Sequence, residues 1–471
     1  MDMSDVDRRR RLCLLGLLAH GALGNSSCGG SSAGGSDEAQ ALAVASAIER
    51  TPAVQFPLRI EPGKRYVVDA TGRPFLIHGD TAWSIVGQLT NAEIDQYLAD
   101  RYKRGFTTIL LSAPEAYYTS QKPSYNNVDG VAPFSPMTHF ANPNNKYWKR
   151  VDYLVNRAKA RRMACIINPA YLGYASGGDG WYDAVAAASP SDLQTYGVWL
   201  ANRYTQGNII WCLGGDQDDS LIMRQWNIVI GMRSVRTTDI ITAHALSGQT
   251  NADDAYTYWA GMAGFNLNTV YGWPTQGYFP YTLCAQAWKR GMPFLGFEFS
   301  YENSQGATQQ MLRQQSYGSL LSGACGQLFG NNPVWYFDAP PGRPPSGNWV
   351  TASDSEGYAS QSYVKALFAA FEWWKLVPKT NTSLVTSDLG SKAGRIYPAR
   401  ASDGSFAMIY VPKGRTVSVV MSALTPGLVR ARLYDPRNGK YETVAGSPFP
   451  NSSTRDFTTV GERVIVLDAA A

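Results

Sequence analysis

Short apolar runs rich in β-branched residues alternate along the chain with longer segments of helical period, and eight such units follow residue 56. The runs are PFLIHGD from Pro74, TTILLSA from Thr107, MACIINPAY from Met163, NIIWCLGGD from Asn208, IITAHAL from Ile240, LNTVYGW from Leu267, PFLGFEFS from Pro293 and GACGQLFGN from Gly323. Nearly continuous apolar runs are typical of parallel strands covered on both faces. The pattern predicts an α/β fold, a (β/α)8 barrel over residues 56–378. A doubly wound sheet is the main alternative, but no GxGxxG follows the first run.

The segments between the runs carry specific helix-start patterns. Thr90 and Glu93 have the spacing of a capping box. Ser189 and Pro190 have the order of an N-cap and a first helical residue. We therefore expect helices to begin at both places.

Beyond Pro378 the pattern changes to short alternating runs separated by the turn-forming sequences DG, PKG and PRNG. This predicts an all-β, sandwich-like domain over residues 379–471. Before the first barrel strand, RYVVDATGRPFLI predicts a further hairpin that turns at ATG.

The N-terminus has the order of an export signal: a basic stretch that ends at Arg11, a short apolar run, then small and polar residues. We predict a signal peptide over residues 1–30 and a flexible tether over 31–55, so the protein would be periplasmic, on the cell surface or extracellular. The apolar run is too short to span a bilayer. Cys28 stands where a lipoprotein would carry its lipid anchor. Asn25 counts against lipidation because lipoprotein signals usually have an aliphatic residue at that position, so lipidation is an alternative that stays open.

Composition narrows the function classes. A chain of 471 residues with 44% hydrophobic content is long enough for one large domain and a smaller one. The net charge of +5 is spread over the chain, and its dense basic run lies only at the N-terminus, so nucleic acid is not an expected partner. Four cysteines remain outside the export segment, and their wide spacing argues against zinc while leaving a disulfide open.

A barrel of this kind carries its active site at the carboxyl ends of its strands. Asp216 ends the fourth run and Glu298 the seventh, and a pair of carboxyl groups is what cleavage of a glycosidic bond requires. Asp216 has an alternative role as a cap for the next helix, and Glu298 as a salt-bridged barrel residue. Glu302, just beyond Glu298, is the alternative second catalytic carboxylate.

Other polar and aromatic residues at the strand ends are candidate substrate-binding residues. They are Asp80, Trp83, Glu115, Asn168, Tyr171, Trp181, His244, Tyr271, Trp273 and Asn331. Flat rings stack on the C–H faces of sugars, although loop packing explains such aromatics equally well. Asp80 has the alternative role of holding its own loop. With no HExxH motif we expect no catalytic metal and no cofactor, and with no GxSxG motif we do not expect a serine hydrolase.

Five motifs in order resemble one family. They are PLRIEPGKRYVVDATGRPFLIHGDTAW, NAEIDQYLADRYKRGF, IIWCLGGD, PFLGFEFSYE and GQLFGNNPVW. Together they resemble the apiosidase-like glycoside hydrolases, whose barrel is paired with a C-terminal domain described as collagen-binding; RARLYDPRNGKY is similar to that domain. The resemblance implies hydrolysis of apiose-containing units of plant pectin. Carried over by motif, it implies Asp216 as acid/base and Glu298 as nucleophile.

We therefore expect a retaining glycoside hydrolase that acts on a plant-type or related polysaccharide or oligosaccharide. The alternative, suggested by the collagen-binding label, is a non-catalytic extracellular protein that binds carbohydrate or collagen.

Overall fold

The computed structural model describes residues 53–120, 125–173, 179–216, 219–244, 254–272, 279–337 and 347–470. The predicted signal peptide, most of the predicted tether and Cys28 lie outside these residues. No helix in the described ranges is both long enough and apolar enough to cross a membrane.

The described chain begins with a small antiparallel sheet of β1 (Arg59–Ile60), β2 (Val67–Val68) and β3 (Pro74–Phe75). β2 and β3 form the predicted hairpin. The Asp69 carboxylate closes the turn because it accepts from the backbone N–H groups of Thr71 at 2.9 Å and Arg73 at 3.1 Å. This hairpin prediction is confirmed.

Eight parallel strands form the predicted barrel. They are β4 (Ile77–Thr81), β5 (Thr108–Ser112), β6 (Ala164–Asn168), β7 (Ile209–Leu213), β8 (Ile240–Ala243), β9 (Asn268–Tyr271), β10 (Phe294–Glu298) and β11 (Gly326–Phe329). The sheet order is β8-β7-β6-β5-β4-β11-β10-β9. Between β8 and β9, where the sheet order ends, the backbone N–H of Leu267 donates to the Ile241 carbonyl at 3.2 Å. Two side chains add to this contact: Thr242 Oγ1 donates to the Leu267 carbonyl at 2.8 Å and Thr269 Oγ1 to the Ala243 carbonyl. The barrel is thus nearly closed, as predicted.

Helices connect and cover these strands. They are α1 (Ile85–Gln88), α2 (Asn91–Lys103), α3 (Asn145–Ala160), α4 (Tyr182–Ala187), α5 (Pro190–Arg203), α6 (Ile222–Val235), α7 (Tyr256–Trp259), α8 (Tyr281–Lys289), α9 (Gln309–Leu321), α10 (Trp349–Ala352) and α11 (Glu356–Ala369). α2 begins with the predicted capping box of Thr90 and Glu93. α5 begins with the predicted Ser189 N-cap and Pro190. Both helix-start predictions are confirmed.

The C-terminal part of the chain is built of antiparallel β-strands, as predicted, but its first strand begins at Leu376, before the predicted boundary at residue 379, because Leu376–Pro378 pair with the strand Tyr397–Ala401. Its strands are β12 (Leu376–Pro378), β13 (Tyr397–Ala401), β14 (Phe406–Val411), β15 (Thr416–Val420), β16 (Leu428–Tyr434), β17 (Tyr441–Thr443), β18 (Phe449–Pro450), β19 (Thr454–Thr458) and β20 (Arg463–Ala469). One antiparallel sheet has the order β12-β13-β14-β20-β16-β17, with β18 also paired to β16, and β15 pairs with β19 in a second sheet. Ile409 and Ile465 from the first sheet share a core with Val417 and Phe457 from the second.

The β-domain packs against barrel helix α9. Arg313 on this helix donates to both carboxylate oxygens of Glu462, and the Tyr410 hydroxyl donates to the same carboxylate at 2.7 Å. The rings of Tyr317 and Tyr410 stack with centroids 5.1 Å apart. A buried ion pair, a further hydrogen bond and a ring stack therefore join the β-domain to α9.

The four cysteines predicted to remain after export are Cys165, Cys212, Cys284 and Cys325. All are buried and free, so they form no disulfide with one another. Burial raises the pKa of each thiol. They act as small apolar residues of the barrel.

Candidate active site

Three barrel strands bring two carboxylates and one imidazole together at the carboxyl end of the barrel. Asp216 follows β7, His244 follows β8, and Glu298 is the last residue of β10. His244 Nε2 lies 2.8 Å from Glu298 Oε2 and 3.4 Å from Asp216 Oδ1. One polar atom of each residue lies within 4.8 Å of those of the other two. We call Asp216, His244 and Glu298 the carboxylate cluster.

The backbone before Asp216 explains how this side chain reaches the cluster. Gly214 has φ of +82°, a conformation that L side chains rarely adopt, and a Cβ there would lie 2.9 Å from the His244 carbonyl. A Cβ on Gly215 would lie 2.9 Å from the backbone nitrogen of Leu172. The two glycines therefore let the chain turn tightly between neighbouring loops and place Asp216 beside His244.

Glu298 is held from two sides. A carboxylate only accepts, so the His244 nitrogen at 2.8 Å is the donor to one oxygen. The Tyr301 hydroxyl donates to the other oxygen at 2.5 Å, and Tyr301 itself accepts from Trp83 Nε1 at 3.0 Å. The Glu298 side chain still remains 12% exposed, so the carboxylate is oriented and yet accessible.

Asp216 is in a different electrostatic state. Burial, followed by the negative charges of Glu298 and Asp179, raises the pKa of Asp216 to about 7, while His244 and Tyr271 act in the opposite direction. Its side chain is 13% exposed. A carboxyl group with this pKa is available as a proton donor at neutral pH.

Aromatic rings surround the cluster. Ring centroids lie 5.8 Å apart for Trp83 and His244, 5.3 Å for Trp83 and Tyr171, and 4.8 Å for Tyr271 and His244. Tyr171 is partly exposed, whereas Trp83 is buried and Tyr271 has no exposed surface. Tyr171 therefore has ring surface available to a ligand, whereas the Tyr271 ring packs against His244 and has none.

Three residues of this site were not predicted. Tyr301 was not predicted as the second donor to Glu298, although it belongs to the motif PFLGFEFSYE and follows Glu298 by three residues. Asp179 accepts from the Tyr118 hydroxyl at 3.1 Å, and its charge acts on Asp216. Asp179 lies in the Gly-rich loop after β6, and Tyr118 follows β5, so both lie on loops that the barrel pattern directs to this rim.

Asp80 does not belong to the site. Its carboxylate has no exposed surface and accepts from the Tyr97 hydroxyl at 2.7 Å, from Arg101 at 3.0 Å and from the Tyr358 hydroxyl at 3.1 Å. Its prediction as a substrate-binding residue was wrong, because the side chain packs toward helices α2 and α11.

Glu302 and Asn331 are also structural. The Glu302 carboxylate accepts from Gln309, Ser355, Asn331 and the backbone N–H of Gly357. Glu302 is 2% exposed and Asn331 has no exposed surface. The alternative catalytic role of Glu302 and the substrate-binding role of Asn331 were therefore wrong, because both side chains are buried and are hydrogen-bonded to each other.

Three further candidates were misassigned because they are buried and each uses at least one polar atom within the protein. Trp181 is 1% exposed and donates from Nε1 to the Pro114 carbonyl at 2.9 Å. Glu115 is 3% exposed and accepts from the Ala116 N–H at 2.8 Å. Asn168 donates to the Gly214 carbonyl at 3.2 Å, so it supports the turn before Asp216. Trp273 lies outside the described residues.

The carboxylate cluster is also the one group of three or more described His, Cys, Asp or Glu side chains close enough to hold a metal ion. Its shortest contact, 2.8 Å between His244 and Glu298, is a hydrogen-bond length.

The fold has close counterparts among solved structures. One is titled a glycoside hydrolase family 5 protein from Bacteroides vulgatus, with 20% identity, a TM-score of 0.75, and coverage of 88% of this chain and 94% of that one. A second, titled "Glycoside hydrolase", has 21% identity, a TM-score of 0.75, and covers 88% and 99% of the two chains. These likenesses establish the fold. No curated protein matches the chain.

Family models identify the class. A model described as "Apiosidase-like, catalytic domain" matches residues 61–375, and one described as "Putative collagen-binding domain of a collagenase" matches residues 377–468. The protein is a glycoside hydrolase. The chain belongs to the apiosidase-like family, as its motifs predicted.

Proposed function

We propose that this glycoside hydrolase cleaves O-glycosidic bonds with retention of configuration, with Asp216 as acid/base and Glu298 as nucleophile. The observation that carries the proposal is the contrast within the carboxylate cluster. Asp216 has a pKa raised to about 7, while Glu298 is fixed by two hydrogen-bond donors. One carboxylate oxygen of Asp216 lies within 4.8 Å of one carboxylate oxygen of Glu298. Retaining enzymes hold their carboxyl groups about 5–5.5 Å apart and inverting enzymes about 6.5–9.5 Å, so the separation supports retention.

In the first step, a Glu298 oxygen attacks the anomeric carbon as the bond to the leaving oxygen breaks. Asp216 gives its proton to that oxygen, so the leaving sugar departs as a neutral alcohol. The products of this step are a glycosyl ester on Glu298 and an ionised Asp216.

In the second step, Asp216 takes a proton from water, which attacks the anomeric carbon and releases Glu298. The ester has no charge, so one of the influences that raises the pKa of Asp216 is removed once Glu298 is glycosylated. The pKa of Asp216 therefore falls when it must act as a base and rises again when the carboxylate is regenerated.

His244 and Tyr301 are positioning residues in this scheme. Their hydrogen bonds to the two oxygens of Glu298 limit its rotation and hold one oxygen toward the substrate. Both bonds are to the ionised form, and each weakens as the ester forms. They orient Glu298 at some cost to its nucleophilicity.

For the substrate, we propose a terminal apiosyl unit of a plant-type oligosaccharide or polysaccharide. The support is the family match, together with the partly exposed Tyr171 ring next to the cluster. Hydrolysis of an aryl apioside, compared with aryl xyloside, arabinofuranoside and glucoside, tests this choice. If the enzyme hydrolyses one of the other three aryl glycosides faster than the apioside, the proposed substrate is wrong, while the proposed catalytic roles are unaffected.

The stereochemical proposal has its own test. The first-formed sugar anomer is observed by proton NMR during the earliest part of hydrolysis, before mutarotation. We expect the anomeric configuration of the substrate to appear first. Initial release of the opposite anomer would show inversion and would remove the nucleophilic role of Glu298.

We also propose that the enzyme is exported, on the basis of the N-terminal pattern described above. Cell fractionation with N-terminal sequencing of the mature chain tests this. Recovery of the uncleaved chain from the cytoplasm would contradict it. Mass spectrometry of the mature N-terminus would show whether Cys28 is lipidated.

A further inference from the structure

A cavity of about 520 Å³ lies where the barrel meets the β-domain, at the end of the strands opposite to the carboxylate cluster. Gly323 and Ala324, which precede β11, line one side, and Trp374 and Lys375, which lead into β12, line another. The loop between β1 and β2 contributes Lys64, Arg65 and Tyr66. A five-residue strand is about 16 Å long, so this junction cavity is separate from the active site. Its volume is in the range of ligand pockets.

Aromatic rings form much of its lining. Trp373 is buried, and the rings of Tyr66 and Trp374 stand edge-on to it with centroids 6.1 Å and 6.0 Å away. Tyr66 and Trp374 both remain partly exposed. Rings that are fixed by an edge-on neighbour and keep exposed surface are suited to stacking on the C–H faces of sugar rings.

A third ring is fixed by close packing. Gly323 has φ of +95°, and a Cβ there would lie 2.3 Å from the Trp288 ring. The Arg65 guanidinium lies 3.9 Å from the centroid of the same ring and donates to the Trp288 carbonyl at 2.7 Å. The arginine is thus held in place by its stacking and one hydrogen bond, while a guanidinium has five N–H donors.

The charge of the lining has one sign. It contains Lys64, Arg65 and Lys375 and no carboxylate. Lys375 is paired with Glu372 and Asp403, which stand outside the lining. Lys64 and Arg65 form no ion pair with a carboxylate of the described ranges. An anionic ligand can therefore form an ion pair with both.

We propose that the junction cavity is a second saccharide-binding site that takes an acidic oligosaccharide, in which the sugars carry carboxylates. Tyr66 and Trp374 stack on sugar rings, and Lys64 and Arg65 bind the carboxylates. Such a site holds a charged polymer at a distance from the active site without taking part in hydrolysis. This proposal does not depend on which residues catalyse the reaction.

The test is calorimetric titration of the full chain with hexagalacturonate and, as the neutral comparison, cellohexaose at low ionic strength. We expect hexagalacturonate alone to bind, and added salt to weaken its binding. Trp374→Ala and Lys64→Glu should each weaken it about tenfold or more, because an aromatic anchor and a charge partner are lost. Hydrolysis of a small aryl glycoside should be unchanged in both variants.

Matched controls are available elsewhere on the barrel. Trp199→Ala removes a partly exposed tryptophan that also carries an arginine, Arg203, over its ring at 4.8 Å. Lys103→Glu changes an exposed lysine on α2. Both should bind hexagalacturonate like the unaltered protein. Melting temperatures identify a variant that fails to fold. If Trp374→Ala does not fold, Lys64→Glu still tests the proposal, because Lys64 is exposed and its replacement should not disturb the fold.

Three results would overturn the proposal. The first is equal binding of the neutral and acidic hexamers. The second is hexagalacturonate binding that both cavity variants leave intact, which would place it elsewhere. The third is that the unaltered protein binds a single-stranded oligonucleotide but not hexagalacturonate, and that Lys64→Glu loses the oligonucleotide binding. That result would assign the cavity to another polyanion.

Discussion

Asp80 and Glu298 occupy corresponding places in the sequence, each at the carboxyl end of a barrel strand, but their surroundings are opposite. Asp80 has no exposed surface and is paired with Arg101, which also has none. Glu298 is 12% exposed and is bound by a histidine and a tyrosine, with a second carboxyl group nearby. A carboxylate whose lone pairs are taken up by buried donors has a structural role, because its removal leaves those donors unpaired. One held by few donors and open to solvent is available for chemistry.

The largest effect expected from this comparison is on turnover. Glu298→Gln should lower kcat by about 10⁴-fold or more, equivalent to about 5.5 kcal/mol, because an amide cannot form the glycosyl ester. Asp216→Asn should lower it by about 10²–10⁴-fold on substrates that need leaving-group protonation. Steady-state kinetics and melting temperatures measure both. Glu302→Gln is the matched control and should keep its activity per folded molecule. A comparable loss of kcat in Glu302→Gln would show that Glu298 is not distinct from a structural carboxylate.

The next effect is on stability. Asp80→Asn should lower the free energy of unfolding by about 3–5 kcal/mol, because it leaves the buried Arg101 without its main partner. Denaturant unfolding measures the change, and the folded fraction should retain its specific activity. Asp100→Asn removes a more exposed partner of the same arginine and should cost far less. Equal losses from the two variants would show that burial of the pair is not what matters.

A smaller effect should follow from loosening Glu298. Tyr301→Phe removes one hydrogen bond to its carboxylate and should change kcat by about tenfold, or about 1.4 kcal/mol. We expect a decrease, because lost orientation outweighs the gain in nucleophilicity. Tyr153→Phe removes a similar bond, to Asp95 on the outside of the barrel, and should leave kcat unchanged. An unaltered kcat in Tyr301→Phe would remove its positioning role.

The smallest effect is a shift in pH dependence. Asp216 must be protonated to act as an acid, so kcat/KM should fall as pH rises through about 7. Asp179→Asn removes a negative charge that raises the pKa of Asp216. The fall of kcat/KM with rising pH should therefore occur at a pH lower by a fraction of a unit. Asp388→Asn, on the β-domain, is the control. A shift toward higher pH in Asp179→Asn would contradict the electrostatic account.

The sequence was sufficient for the barrel and for the places of Asp216 and Glu298. Strand period, helix caps and turn residues are local properties, and here they agree with the fold. The sequence was insufficient for deciding which strand-end residues belong to the active site and which support the fold. Whether a strand-end side chain points to the site or to the helices depends on register and on partners distant in the chain, such as Tyr358 for Asp80.

One neglected pattern would have identified Asp80 as structural. Arg101 lies on the same face of α2 as the buried Ile94, Tyr97 and Leu98. An arginine on an apolar helix face needs a buried acid, and the preceding strand supplies Asp80. No comparable pattern marks Glu302, whose four donors come from three separate segments of the chain.

The central claim is that Glu298 is the nucleophile and Asp216 the acid/base, and chemical rescue with azide tests it most directly. On an aryl glycoside with a good leaving group, Glu298→Ala with azide should form a glycosyl azide of inverted configuration, because azide enters the space left by the carboxylate. Asp216→Ala with azide should form the azide of retained configuration, because azide attacks the glycosyl ester on Glu298. NMR of the isolated products distinguishes the two. The same configuration from both variants, or no rescue of either, would contradict the assignment.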